Sequence, residues 1–358
     1  MLAYILRRLL MIVPTLFGIM LISFAIIQIV PGGPVERMVA QLSGAASGGG
    51  GDFGGGGQNF DGGASQYRGS QGLDPAFIES LRKQYGFDKP APERFWLMIK
   101  NYVTFNFGQS YFRDTPVLEL IKEKLPVSIS IGVWVMLLSY AISIPLGIRK
   151  AVKDGSFFDA WTSAVIIIGY AIPGFTLGIL LITLFAGSAF WQIFPNARLV
   201  SDNWSELSLW GKVADYAWHM TLPLIAMSVS AFATLTMLTK NSFLDEIRKQ
   251  YVLTARMKGL SERRVLYGHV FRNAMLIVIS GFPAAFIGAL FANSLLIEQT
   301  FSLDGLGLLN YNSILNRDYP VVLASIYILS LLGLFINLVS DLIYMLVDPR
   351  IDFEAREV

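Results

Sequence analysis

Six stretches of this chain are apolar for long enough to cross a bilayer: Leu9–Val30, Val127–Ile148, Ala160–Ala186, Met220–Leu238, Met275–Ile297 and Pro320–Val347. The first is about 22 residues, worth roughly 33 Å of helix. It is too long for a signal-peptide core and lacks a small-x-small cleavage site, so it reads as a retained anchor. Pro31-Gly32-Gly33-Pro34 ends it. The third run is interrupted by Pro173-Gly174, where a kink is expected, and Pro223, Gly281 and Pro283 loosen the fourth and fifth.

The polar segments between these runs differ in kind. Residues 31–126 form a long outer region whose glycine-rich part, Gly44–Gly63, has too little apolar surface to offset the entropy of ordering it. Gly49, Gly51 and Gly54 have GxGxxG spacing there, but neither the strand nor the helix that such a phosphate loop requires flanks them. Beyond it, Asp74 as N-cap and Pro75 at N1 start a short helix, and Arg94–Val103 predicts another. Phe105, Phe107, Tyr111 and Phe112 suit the outer interface, as do the tryptophans of Gly187–Trp218. Glu298–Tyr319 reads as the last outer loop.

Charge orients the whole. Arg7 and Arg8 precede the first run, Arg149, Lys150 and Lys153 follow the second, and residues 240–274 after the fourth are dense in Arg and Lys. Short outer segments carry only Arg198, Lys212 and Arg317. The pattern predicts an all-α polytopic membrane protein of six transmembrane helices with both termini in the cytosol, as the Asp348-Pro349-Arg350 ending also requires.

Composition agrees, with 54% hydrophobic residues and a mean hydropathy of +0.53. The absence of cysteine excludes disulfides, thiolate metal sites and a Cys nucleophile. His219 and His269 are too few and too far apart for a metal site. No G-x-x-x-x-G-K-[ST] loop, Ser-His-Asp grouping, HExxH or paired-carboxylate motif stands out, so no catalytic site is read and any ATP must be bound elsewhere. Within the apolar runs, Asp341, Asn337 and Asn293 are the polar candidates for a translocation path, with pairing near an interface and helix–helix hydrogen bonding as the alternatives.

Gln250–Ala274 is the most informative stretch. Asp245 and Glu246 suit the N-terminal end of a first short helix, along which Ile247, Tyr251 and Ala255 repeat at helical spacing. Gly259 is a natural stop, Ser261 an N-cap for a second helix, and Glu262 its first-turn acid. The result is a helix-turn-helix surface presented to the cytosol.

That segment, ARMKGLSERRVLYGHVFRNA, resembles the cytoplasmic loop of the dipeptide and oligopeptide permeases of ABC importers, with Ala255 and Gly259 at the expected separation. Leu253 stands where the wider family has Glu, and Phe271-Arg272 where it has Leu-Pro; both departures resemble the peptide branch. LLIEQTFSLDGLGLL (Glu298, Phe301, Gly305, Gly307), DLIYMLVDPR, YILRRLL, PGGP and YGFDKP carry the likeness over nearly the whole chain outside the glycine-rich insert. The resemblance implies a type I permease fold with its transport domain at 127–347, in a bacterial inner membrane. It implies uptake of peptides, peptide antibiotics of the microcin kind included. The implied partners are a second permease subunit, a cytoplasmic ATPase that holds ATP and Mg, and a periplasmic peptide-binding protein; no cofactor is implied on this chain. Ala255, Arg256, Lys258, Gly259, Leu260 and Ser261, with Arg263 and Arg264, would form the ATPase-coupling element, Gly259 making the turn and the basic side chains meeting acids on the ATPase. The rival is an ATP-independent secondary transporter, for which the chain shows no persuasive internal repeat.

Overall fold

The computed structural model describes residues 2–42, 75–84, 86–187, 190–288 and 294–347. Gly44–Gly63, Asp74, Asn293 and Asp348-Pro349-Arg350 lie outside those residues. Among the described residues the regular structure is helical, apart from one isolated bridge between Gln109 and Pro116. The helices are α1 (Leu2–Ile29), α2 (Pro34–Leu42), α3 (Pro75–Gln84), α4 (Ala91–Val103), α5 (Val117–Val152), α6 (Phe157–Ala171), α7 (Gly174–Phe185) and α8 (Leu209–Ile247). There follow α9 (Gln250–Met257), α10 (Glu262–Val265), α11 (Phe271–Ile287), α12 (Ser294–Thr300), α13 (Leu306–Asn316) and α14 (Tyr319–Val347). The chain divides into two compact units, Met1–Leu10 with Lys122–Leu309 and Leu331–Val358, and Met11–Ile121 with Asn310–Ser330.

In the first unit, α5 and α8 run 36 and 39 residues. At 1.5 Å per residue these are about 54 and 58 Å, well beyond a ~30 Å hydrocarbon core, so each helix extends past the apolar run that predicts it. The third apolar run is two helices: Phe157–Ala171 and Gly174–Phe185 meet at 92°, a break rather than a kink. Ile172 is extended (φ −88°, ψ 119°) because the following Pro173 disfavours helical backbone before it, and Pro173 has no N–H to continue the ladder. Helix α8 passes close to its neighbours through small residues. A Cβ on Gly147 of α5 would lie 2.7 Å from Thr239 Cβ and 2.8 Å from Thr236 O.

The segment read as a last outer loop is instead mostly α12 and α13. Its organiser is Glu298, which is 0% exposed. The carboxylate accepts from Ser128 Oγ at 2.7 Å and from Leu308 N–H at 2.7 Å, in the first turn of α13. Ser128 Oγ in turn accepts from Leu306 N–H at 2.8 Å. A side chain at Gly305 would collide with this carboxylate, its Cβ lying 2.3 Å from Glu298 Oε1. A buried acid thus satisfies orphan donors of a helix N-terminus and meets its positive end, an arrangement invisible to a count of polar residues.

In the second unit, Val35 and Val39 of α2 pack against Leu81 of α3. Phe107, expected at an interface, is buried against Tyr102, edge-to-face at 4.8 Å between ring centroids, and Tyr327, tilted at 5.8 Å. Asp318 fixes the adjoining loop by accepting from Ser110 Oγ at 2.5 Å and Tyr111 N–H at 3.0 Å.

Gly147→Val tests the closest α5–α8 approach. Overpacking there is expected to cost about 1–3 kcal/mol and to lower the melting temperature of the purified protein in detergent. An unchanged melting temperature would mean that the two helices do not meet at Gly147.

Candidate functional site

Helix α8 does not stop before Asp245 and Glu246, as the charge pattern predicts, but carries both in its last turn. The correction has a clear cause, because Glu246 is anchored from outside its own helix. Its carboxylate accepts from Tyr251 Oη at 2.8 Å and pairs with Lys249 Nζ at 2.5 Å, while Tyr251 Oη accepts from Asn273 Nδ2 at 3.3 Å. Glu246 therefore links α8, α9 and α11. Burial, with the Glu246 carboxylate adding to it, raises the Tyr251 hydroxyl above the ordinary tyrosine range, so it remains a donor.

Lys249, in extended conformation, separates α8 from α9. Helix α9 ends in a Schellman turn: Gly259 N–H donates to Arg256 O at 2.9 Å and Leu260 N–H to Ala255 O at 3.4 Å. Gly259 has φ +79°, a conformation that glycine adopts without steric cost. Ser261 is extended and starts α10, its C=O accepting the first helical bond from Val265 N–H at 2.9 Å, but its side chain makes no capping hydrogen bond. Glu262 is held across the turn by Arg256 in a bidentate pair, Nε–Oε1 and Nη2–Oε2 both 3.0 Å. After α10, a π-helical turn, Leu266–Val270, leads into α11.

Beneath this surface lies one apolar cluster. Ile148 of α5, Phe243 of α8, Val252 and Ala255 of α9, Val265 of α10, Val270, and Ala274 of α11 pack together. Val252 is 0% exposed. Of the coupling residues expected from sequence, Ala255 therefore belongs to the buried base, Leu260 is half-buried, and Arg256, Lys258, Gly259, Ser261, Arg263 and Arg264 are exposed. The sequence reading missed Leu253 and Met257. They stand one helical turn apart on α9, and Met257 is 79% exposed among the basic side chains. Their signal is a pair of apolar residues inside a loop otherwise rich in charge.

Of the translocation-path candidates, Asn293 lies outside the described residues, while Asn337 and Asp341 stand one turn apart on α14. Asp341 accepts from Tyr4 Oη at 2.9 Å and pairs with Arg8 Nη2 at 2.9 Å, so its charge is already compensated. Asn337 is exposed one turn earlier on α14.

The family described as "Binding-protein-dependent transport system inner membrane component" matches residues 143–353, more than half of the chain and all of the surface just described. The chain belongs to that family. It is 62% identical to the peptidoglycan transport system permease protein YejB of Agrobacterium fabrum, over 99% of this chain and 100% of the relative. It is 54% identical to the inner membrane ABC transporter permease protein YejB of Escherichia coli O157:H7, with the same coverage. The oligopeptide transport system permease protein AppB of Bacillus subtilis is 34% identical, again over 99% of this chain and 100% of the relative. The protein is thus a multi-pass inner-membrane permease subunit with the all-α fold of the type I ABC permeases, and not an enzyme. The secondary-transporter reading gains no support.

Two further features of this permease escaped the sequence. Lys150, counted there among basic loop residues, is 0% exposed. Its Nζ lies 3.0 Å from Asp159 Oδ1, 2.8 Å from Thr162 Oγ1 and 2.7 Å from Ser163 Oγ, while Asp159 Oδ2 pairs with Lys240 at 2.7 Å. This network ties α5 and α6 to α8. The second feature is a cavity of about 410 Å³ between α5, α6, α8 and α11. Ser139, Tyr140, Tyr170, Ser230 and Thr234 line it, no charged side chain does, and Ser139 Oγ is buried without a hydrogen-bond partner.

Lys150→Met breaks the buried network while leaving Asp159 one lysine. It is expected to destabilise by about 3 kcal/mol, whereas the exposed Lys153→Met should stay within about 0.5 kcal/mol. Thermal unfolding of the purified variants measures both, and equal melting temperatures would remove the network from the stability of this permease.

Proposed function

We propose that this permease subunit imports peptides, driven by a cytoplasmic ATPase that docks on α9 and the turn after it. ATP and Mg would be bound by that ATPase, a second permease subunit would complete the path, and a periplasmic binding protein would deliver the substrate. The peptide assignment is supported by the AppB relative and by the motifs that run through the chain. The relative at 62% identity carries peptidoglycan in its name, and this favours peptides from cell-wall turnover among the substrates.

The observation that carries the coupling reading is that α9 is built into the same cluster as α8 and α11. Leu253 and Met257 offer apolar contacts to an ATPase groove, and Lys258, Arg263 and Arg264 surround them with positive charge. Arg256 is engaged by Glu262 and serves the turn first. A pull on α9 passes through Val252 and Phe243 into α8, and through Tyr251 and Asn273 into α11. Those two helices also line the 410 Å³ cavity, through Ser230 and Thr234 on one and Val278 and Gly281 on the other. Its largely apolar, uncharged wall carries five hydroxyl side chains that can pair with a peptide backbone, and displacement of α8 and α11 would change its width.

Uptake of a labelled tripeptide, in cells whose peptide import depends on this chain, tests the reading. Gly259→Glu places a Cβ and a charge in a left-handed turn and should reduce uptake by about tenfold or more with normal membrane levels. Gly259→Asn, whose side chain tolerates that backbone, should retain most of it. Full uptake by the Glu variant would remove α9 and its turn from coupling, and undiminished peptide uptake without the chain would overturn the substrate class.

A further inference from the structure

The second unit holds a cavity of about 440 Å³ bounded by the later part of α1, by α4 and the loop after it, and by the first turn of α14. That volume is in the ~300–1,000 Å³ range of small-molecule sites. Its polar wall is lopsided. Lys89 and Arg94 supply positive charge, Gln28, Asn101 and Gln109 supply amides, and among the described residues no carboxylate lines it. Lys89 is exposed and paired with Glu93 at 3.3 Å, so Arg94 is the cation of the interior.

Arg94 is held as a binding group rather than as a packing residue. Its Nη2 donates to Gln28 Oε1 at 2.6 Å, and its guanidinium lies over the rings of Phe87 and Phe24, 4.8 and 5.9 Å from their centroids. These contacts fix the fork without neutralising it. Among the described residues no carboxylate pairs with Arg94, and its Nε is buried with no hydrogen-bond partner. The guanidinium as a whole is half-buried, so its charge is partly desolvated and favours an opposite charge beside it. The matching acceptor is a carboxylate, whose two oxygens fit the guanidinium fork. The amides around it offer the N–H donors and C=O acceptors that a peptide backbone pairs with.

We propose that this cavity binds a short peptide by its free C-terminal carboxylate at Arg94, before the peptide enters the transmembrane path. That the ligand is a peptide rests on the proposed function; that it is a carboxylate rests on the cavity itself. The site would set a preference for free-acid termini at a position distinct from the uncharged cavity between α5, α6, α8 and α11.

The test uses the complete permease complex in nanodiscs, without binding protein, and compares a fluorescent tripeptide with its C-terminal amide. The free acid should bind about tenfold or more tightly than the amide. Arg94→Gln should lower acid affinity to the amide level, and Arg94→Lys, which keeps the charge but not the fork, should fall between. Melting temperatures show that the variants fold, and the acid–amide comparison in the unaltered complex needs no variant. Equal binding of acid and amide, or acid binding unchanged in Arg94→Gln, overturns the site. A second set of nanodiscs with the binding protein added completes the test: an Arg94 effect seen only there, on affinity for that protein, would also overturn the site, because the carboxylate would then be a protein side chain. Acid-selective, Arg94-dependent binding combined with no uptake of any peptide would uphold the site and overturn the peptide-import reading instead. Intact uptake with no acid preference would do the reverse.

Discussion

Phe243 closes the end of α8 by packing, with no solvent contact, against residues from α5, α9, α10 and α11. A helix of eight residues such as α9 is too short to persist on its own. It is stable because Val252 and Ala255 are buried in the same cluster as that phenylalanine, while Leu253, Met257 and the basic side chains stay exposed. The same cluster fixes where Gly259 turns the chain and where Val265 begins the approach to α11. A basic loop that only marked topology would have no reason to contain the buried Val252, Ala255, Val265, Val270 and Ala274. The apolar base is what makes the segment able to carry a force.

Elsewhere in the helices, several charged groups are answered by side chains from other helices. Asp159 meets Lys150 and Lys240, Glu298 meets Ser128, and Asp341 meets Tyr4 and Arg8. Each is expensive alone and tolerable in company. Arg94 follows the same logic up to a point, with Gln28 and two aromatic rings for company but no opposite charge.

What could be read in the sequence was what depends on local pattern. Within the described residues the apolar runs fall on helices, the third on two, and Gly259 has the positive φ that a glycine after a basic helical turn suggests. Boundaries set by distant contacts could not be read. Asp245 and Glu246 look like helix-start residues until Tyr251 and Asn273 are seen to reach back to Glu246. Counting Lys150 as a loop residue assumes that every basic side chain near an interface faces water, and nothing local tells which one turns inward. Ser261 has the composition of a cap but not its hydrogen bond. The cavity around Arg94 draws on Gln28, α4 and Tyr319, which no spacing rule connects.

The Glu298 arrangement also bears on how the chain is made. An acid enclosed by protein needs its donors present when it is enclosed, and Ser128 precedes it by 170 residues. Synthesis runs from the N-terminus, so the helix that bears the hydroxyl exists before the carboxylate is translated. The backbone donors Leu306 and Leu308 follow within the next turns of chain. The order of residues therefore places one partner of the acid, Ser128, in the chain before it and the other, Leu308, shortly after it, with Gly305 leaving the room the carboxylate occupies.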